Sequence, residues 1–199
     1  MNRFEILASQ LPDSLDAIYE VGCDHALITK AALTKGKARK AYVSDISEEC
    51  LKKARITLAG RDASYFVFDG INPDIKADAI IICGMGGKLI SKMISAYNGD
   101  AKLLLSPQKN PESVRLALET NGYKITKDFC FESSRKFYDC ILAERGHMKL
   151  GVMERKFGAF YKTRSEALKK KLEKMLTNVK KGPDKEKSAE LEEALSWQK

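Results

Sequence analysis

The chain has no run of about 18 consecutive apolar residues, so no membrane-spanning helix is expected. Histidine is scarce: His25 and His147 are the only two, too few for a multi-histidine metal site. The five cysteines (Cys23, Cys50, Cys83, Cys130 and Cys140) are scattered and form no C-x-x-C pair. Zinc ligands ordinarily come in close pairs, and disulfide scaffolds are small and cysteine-dense, so neither is expected. These thiols read instead as small buried hydrophobes. The opening Met1-Asn-Arg-Phe-Glu-Ile-Leu7 carries an early acid and no long apolar run, unlike a secretory signal, so a cytoplasmic protein is expected.

What is present suits a globular enzyme-sized domain. The 199 residues are 44% hydrophobic and 31% charged, enough for one full domain and an appendage. The formal charge of +8 favours a polyanionic partner, nucleic acid before others, because each phosphate neutralised releases counterions. From Leu150 onward there are 13 Lys/Arg against 8 Asp/Glu, so the last quarter supplies +5 of that charge.

Residues 17–146 alternate short apolar runs with amphipathic stretches, the pattern of an α/β domain with a largely parallel sheet. Strands are expected at Ala17–Val21, Ala41–Asp45, Ser64–Phe68, Ala77–Cys83 and Lys102–Leu105, with the fourth, apolar on both faces, at the centre. A helix is expected from about Asp24 to Lys35. Ser47 is placed to cap the next one, Gly84-Met-Gly-Gly87 opens another, and Pro111 suits the first turn of a helix ending at Thr120. Strands near Tyr123–Phe131 and Lys136–Glu144 are close enough to form an antiparallel edge. Residues 1–148 thus form the first domain. Residues 149–199 read as a basic helical hairpin, with Phe157, Phe160, Tyr161, Leu168, Leu172, Met175, Leu176 and Val179 on one apolar stripe and Asp184 capping the second helix. That hairpin can bind RNA, pack on the first domain or pair with a second subunit; a monomer or weak homodimer is expected.

The chemistry gathers at successive strand ends. Gly22 follows the first strand, where glycine lets the chain turn tightly and approach a ligand. The dinucleotide pattern G-x-G-x-x-G is absent, and Asp24 would meet a pyrophosphate with its carboxylate. A cationic cofactor such as S-adenosylmethionine, with its sulfonium and ammonium, suits that acid better. Asp45, 23 residues after Gly22, is placed to accept from ribose hydroxyls, and Asp69 from an adenine amine. Gly84, Gly86 and Gly87 surround Met85, beside the place expected for the reacting group. Each acid taken singly also reads as a cap or turn residue. A ring nitrogen needs only to be unstacked, aligned and relieved of its new charge; Asp24 is the candidate carboxylate, with His25 positioning it or the base, and Met85 offers the flipped base an apolar surface.

In Glu20-Val-Gly-Cys-Asp-His-Ala26, Cys83-Gly-Met-Gly-Gly-Lys-Leu-Ile90, Lys136-Phe-Tyr138 and Ala143-Glu-Arg-Gly146, the chain resembles the bacterial TrmK group of tRNA (adenine-N1) methyltransferases, which modify adenine at position 22. The resemblance covers about residues 1–160 and, more loosely, the tail. It implies a Rossmann-like class I methyltransferase domain followed by a helical, coiled-coil-like hairpin, with S-adenosylmethionine as cofactor and tRNA as partner. By position, it implies a cofactor site of Glu20, Gly22, Cys23, Asp24, Asp45, Ile46, Asp69, Gly70, Gly84 and Met85. Substrate contacts are implied at Met85, Lys88, Ser106, Pro107, Lys109, Arg115 and Tyr138, with Lys88, Lys109 and Arg115 expected to grip phosphates from the surface. Glu20 and Cys23 stand where the group often has Asp and Ser, and Ser106-Pro-Gln-Lys-Asn110 replaces a more usual Q-P-N. A methyltransferase acting on another RNA or a small amine, and a non-catalytic RNA-binding protein of the same fold, are the alternatives.

Overall fold

Ile80, Ile81 and Ile82 are all buried, which requires apolar cover on both faces of their strand. In the computed structural model, which describes residues 1–198, this run is β4 (Ala79–Cys83). It pairs in parallel with β1 (Leu15–Val21) on one side and β5 (Lys102–Ser106) on the other. β2 (Ala38–Asp45) extends the sheet beyond β1, and β3 (Ala63–Val67) beyond β2, both in parallel. β6 (Tyr123–Ser133) and β7 (Lys136–Arg145) form an antiparallel hairpin whose second strand pairs antiparallel with β5. The seven strands run β3-β2-β1-β4-β5-β7-β6.

Side chains alternate across this sheet into two cores. Tyr19, Val21, Ile80, Ile82, Leu103 and Leu105 pack beneath α4 (Gly87–Ala96) and α5 (Pro111–Thr120). Ile18, Ile81 and Leu104 face α1 (Arg3–Ala8) and α2 (Leu27–Thr34). Val43 and the α3 (Glu48–Thr57) residues Leu51 and Ala54 continue that second layer. Both faces are therefore covered, as a Rossmann-like sheet of this length demands.

Three sequence expectations change. The helix expected from Asp24 begins only at Leu27, because Asp24 (φ 43°) and Ala26 (φ 50°) take left-handed backbone that no helix continues through. Ser47 precedes α3, but its side chain makes no capping bond; its amide donates to Asp45 Oδ1 at 3.0 Å instead. The opening segment, expected only to lack a targeting signal, folds into α1 from Arg3 to Ala8. There the Asn2 carboxamide accepts from Phe4 N and Glu5 N, and Glu5 Oε2 accepts from Asn2 N, a reciprocal capping box.

The tail differs from one continuous stripe. α6 (Val152–Phe157) ends at Gly158, where Asp128 Oδ2 accepts from Ala159 N at 2.7 Å and turns the chain aside. Phe160 and Tyr161 therefore sit in a turn rather than on a helix. α7 (Glu166–Val179) and α8 (Lys185–Ser196) form the hairpin, with Asp184 accepting from Lys187 N. Leu168, Leu172, Leu191 and Ala194 bury a small core together with Cys130 and Phe137 of the sheet, so the hairpin is docked on β6 and β7.

Arg115 overturns its surface assignment. It is 1% exposed, and its guanidinium donates to Asp128 through Nε (2.7 Å) and Nη2 (3.0 Å) and to Arg155 O through Nη1 (3.0 Å). Asp139 lies 3.6 Å away and is itself held by Lys171 of α7 at 2.6 Å. Two buried acids explain why a cation on α5 turns inward: charges are buried only when paired. Arg115 cannot grip a phosphate; it ties α5, β6 and α6 together.

Candidate active site

The order in which strands join the sheet reverses between β1 and β4, since β2 lies on one side of β1 and β4 and β5 on the other. Open α/β sheets bind ligands at the carboxyl ends of the strands at such a switch point. A cavity of about 310 Å³ lies there, lined by Glu20, Gly22, Cys23, Asp24 and His25 after β1, by Cys83, Gly84 and Met85 after β4, and by Ser106 and Gln108 after β5. Arg3, Phe4 and Leu7 of α1 and Tyr138 of β7 close its side. A wider hollow of about 960 Å³ opens at the other end of the sheet, lined by the loops that lead into β4 and β5 rather than by those at the carboxyl ends of the strands.

The turn after β1 is built for close approach. Gly22 has φ 67°, and a β-carbon there would overlap the terminal methyl of Met85. Gly22 N and Cys23 N both donate to Ser44 O, pinning the turn to β2. Asp45 then bridges neighbours, accepting from Asp24 N through Oδ2 and from Ser47 N through Oδ1. Two non-glycine residues in left-handed backbone, Asp24 and Ala26, hold strain next to the cavity, a feature that clusters at functional sites.

The loops after β4 and β5 are coupled. Gly84 N donates to Ser106 O (3.1 Å), Gln108 N to Met85 O (2.8 Å) and Gly87 N to Lys109 O (2.7 Å). Any β-carbon on Gly87 would run into the Asn110 carbonyl, so glycine is required for that contact. Met85 is consequently held at the cavity by its backbone, and its side chain packs against the main core and the Gly22 turn.

Glu20 is the buried acid of the site. One oxygen, Oε2, accepts from Thr29 Oγ1 at 2.5 Å and from Thr29 N at 3.1 Å. Burial outweighs these bonds and pushes its carboxyl up to about 7. Asp24 contrasts with it: its side chain is 64% exposed, with Lys53 Nζ at 3.6 Å and His25 Nε2 at 3.8 Å from Oδ1. Burial also raises the thiols of Cys23 and Cys83, so neither is a nucleophile at neutral pH.

The expected residues fall into two groups. Glu20, Gly22, Cys23, Asp24, His25, Gly84, Met85, Ser106 and Tyr138 share the cavity. Asp45, Ile46, Asp69 and Gly70 stand outside its lining, after the neighbouring strand ends of β2 and β3, with Ile46 71% exposed. Lys88 and Lys109 are exposed on the α4 turn and the loop after β5, and Pro107 is buried behind that loop. Sequence reading missed Arg3, Phe4, Leu7, Leu27, Ile28, Cys83 and Gln108. The spacing of Asn2 and Glu5 ahead of an apolar pair was the available signal for α1.

Among the described residues no group of three or more His, Cys, Asp or Glu is placed to hold a metal ion, and no helix is long and apolar enough to cross a membrane.

A family described as "Methyltransferase domain" matches residues 1–141. A Bacillus subtilis protein named tRNA (adenine(22)-N(1))-methyltransferase is 27% identical over 154 residues, covering 72% of this chain and 64% of its own length. A Mycoplasma pneumoniae putative tRNA methyltransferase is 29% identical over 133 residues, 64% of this chain and 62% of its own. The chain thus spans less than two thirds of the length of these curated relatives. A Streptococcus pneumoniae putative tRNA (m1A22) methyltransferase, solved in complex with S-adenosyl-L-methionine, superposes with TM-score 0.89 at 23% identity, covering 98% of this chain and 100% of that one. The Mycoplasma capricolum TrmK bound to S-adenosyl-homocysteine gives 0.81 at 20%, covering 98% and 94%. At those identities the likeness is one of fold, and it extends through the C-terminal hairpin.

Proposed function

Because the chain belongs to the methyltransferase-domain family, we propose that it transfers a methyl group from S-adenosylmethionine to N1 of an adenine in tRNA, at position 22 as in the named Bacillus relative. The observation that carries this reading is the cavity at the β1/β4 switch point, where acids and close-approach glycines meet without a dinucleotide glycine pattern.

The residues present fit the cofactor. Glu20 presents a buried carboxylate to a cavity otherwise lined in large part by apolar side chains, the surroundings an ammonium needs. Gly22 keeps any side chain of its own off the turn, where the Met85 methyl lies, with Cys23 and Gly84 beside it. Asp45 would accept from ribose hydroxyls, while exposed Ile46 would cover one face of the adenine ring and Asp69-Gly70 would meet its edge. When bound, the cofactor supplies the electrophilic methyl group.

The chain's own groups do the rest. Met85 and Tyr138 would flank the target base, with Ser106 and Pro107 shaping the floor of its pocket. Holding the ring nitrogen in line supplies much of the acceleration, since it carries its own lone pair and needs no base to remove a proton. The developing positive charge on the ring is met by the Asp24 carboxylate, which His25 helps to orient. Lys88, Lys109 and the basic hairpin would hold phosphates, and the net charge of +8 supports that role. A protein with this work to do belongs in the cytoplasm.

Asp24→Ala tests the role of the carboxylate. Turnover should fall by about a hundredfold or more while tRNA affinity changes little. Unchanged turnover would remove Asp24 from the chemistry.

A further inference from the structure

Arg3 is a half-buried cation on the cavity wall with no carboxylate of its own. Its guanidinium carbon lies 4.5 Å from the Phe4 ring centre and 5.4 Å from that of Tyr138. Its Nη1 donates to Tyr138 Oη at 3.2 Å, and among the described residues it makes no ion pair. Most other arginines of this chain do find an acid: Arg39, Arg55, Arg115, Arg145 and Arg155 all pair. Arg3 is also held in place. The Asn2–Glu5 capping box fixes the first turn of α1, and Leu7 and Ala8 anchor the helix in the core.

The same cavity contains Glu20, a buried carboxylate bonded through only one of its oxygens. The same cavity is lined by apolar Phe4, Leu7, Leu27 and Ile28. A buried acid, a guanidinium and these apolar side chains in one pocket, with the exposed Asp24 beside them, are complementary to a zwitterionic α-amino acid carried on a short aliphatic chain. A guanidinium recognises a carboxylate through its fork of N–H donors, which the face of an aromatic ring does not satisfy.

We infer that Arg3 binds the α-carboxylate of the amino-acid end of the cofactor, leaving its resting contact with Tyr138 Oη as it does so. This rests on the proposal that S-adenosylmethionine is the ligand. It makes α1 part of the cofactor site, and it couples cofactor binding to the Tyr138 hydroxyl, which loses the Arg3 donor and becomes available to the substrate base. The ring of Tyr138 keeps its stacking on Phe131, 5.5 Å between centres, so its position does not depend on Arg3.

The test compares two ligands that differ only in that group: S-adenosylmethionine and its decarboxylated form, titrated by calorimetry into the wild-type chain, Arg3→Gln and Arg3→Lys. Arg3→Gln should weaken S-adenosylmethionine about tenfold to a hundredfold, the worth of a charge-assisted bond, and the decarboxylated ligand less than threefold. Arg3→Lys should recover part of the loss. Equal weakening of both ligands would overturn the inference, showing a merely structural role. So would unchanged affinity for both, including the case in which only tRNA binding suffers. If the wild-type chain bound neither ligand, the proposed function itself would fall and this inference with it.

Discussion

The terminal methyl of Met85 occupies the space that a side chain on Gly22 would need. The two residues leave different strands, β1 and β4, and meet across the switch point of the sheet. Gly22→Ala should therefore fail twice. It places a β-carbon on a left-handed residue, at about 1 kcal/mol, and forces Met85 off the turn. Calorimetry should find S-adenosylhomocysteine affinity reduced at least tenfold in a chain that still unfolds cooperatively. Wild-type affinity would mean that the turn is not where the ligand lies.

Glu20 links stability and binding through pH. Its folded carboxyl sits near 7, above the ordinary value of 4.5, so the folded state holds a proton that the unfolded chain has lost between those limits. Stability from this group is full below about pH 4.5 and declines as pH rises through 7, by at most about 3 kcal/mol. Glu20→Gln keeps an acceptor for Thr29 and removes the titration. In thermal melts it should match the wild type near pH 4.5 and exceed it at pH 8, while binding the cofactor more weakly at pH 8. A variant less stable than the wild type at pH 8 would contradict this account of the carboxyl.

Arg115 and Asp128 make a paired, fully buried contact. Removing the cation leaves Asp128 uncompensated, so Arg115→Ala should cost about 3–5 kcal/mol in denaturant unfolding. The same change should leave the salt dependence of RNA binding untouched when measured below the new midpoint. A drop in that slope would return Arg115 to the RNA surface.

The hairpin carries exposed lysines on α7 and beyond it, including Lys170, Lys174 and Lys181. If they meet phosphates, replacing these three by Gln should lower the slope of log K against log salt for tRNA by about 2–3. No change would make the hairpin a packing element only. Deleting everything after Gly146 is a poorer experiment, because Met148 and Leu150 belong to the main core.

Much of this architecture was legible in the residues. The triple isoleucine of β4 demanded a central strand, and Pro111 and Thr120 bound α5 as expected. The acids and glycines after Val21 and Cys83 marked the strand ends that carry the cavity. What escaped was set by tertiary partners. Nothing local distinguishes Arg115 from a surface arginine, since its carboxylates arrive from β6 and β7. The stripe through Phe157 and Tyr161 had helical spacing, but Asp128 captures the backbone at Ala159 and breaks it. Arg3 and Phe4 reach the cavity only because α1 folds back over α2, a contact no periodicity announces.

The most direct measurement is methyl transfer from labelled S-adenosylmethionine to tRNA transcripts in which one adenine at a time is replaced, with the modified nucleoside identified by mass spectrometry. The account predicts that a single replacement, at position 22, abolishes incorporation, and that the product is 1-methyladenosine. Incorporation that survives every single replacement, or a product methylated on the exocyclic amine, would contradict it.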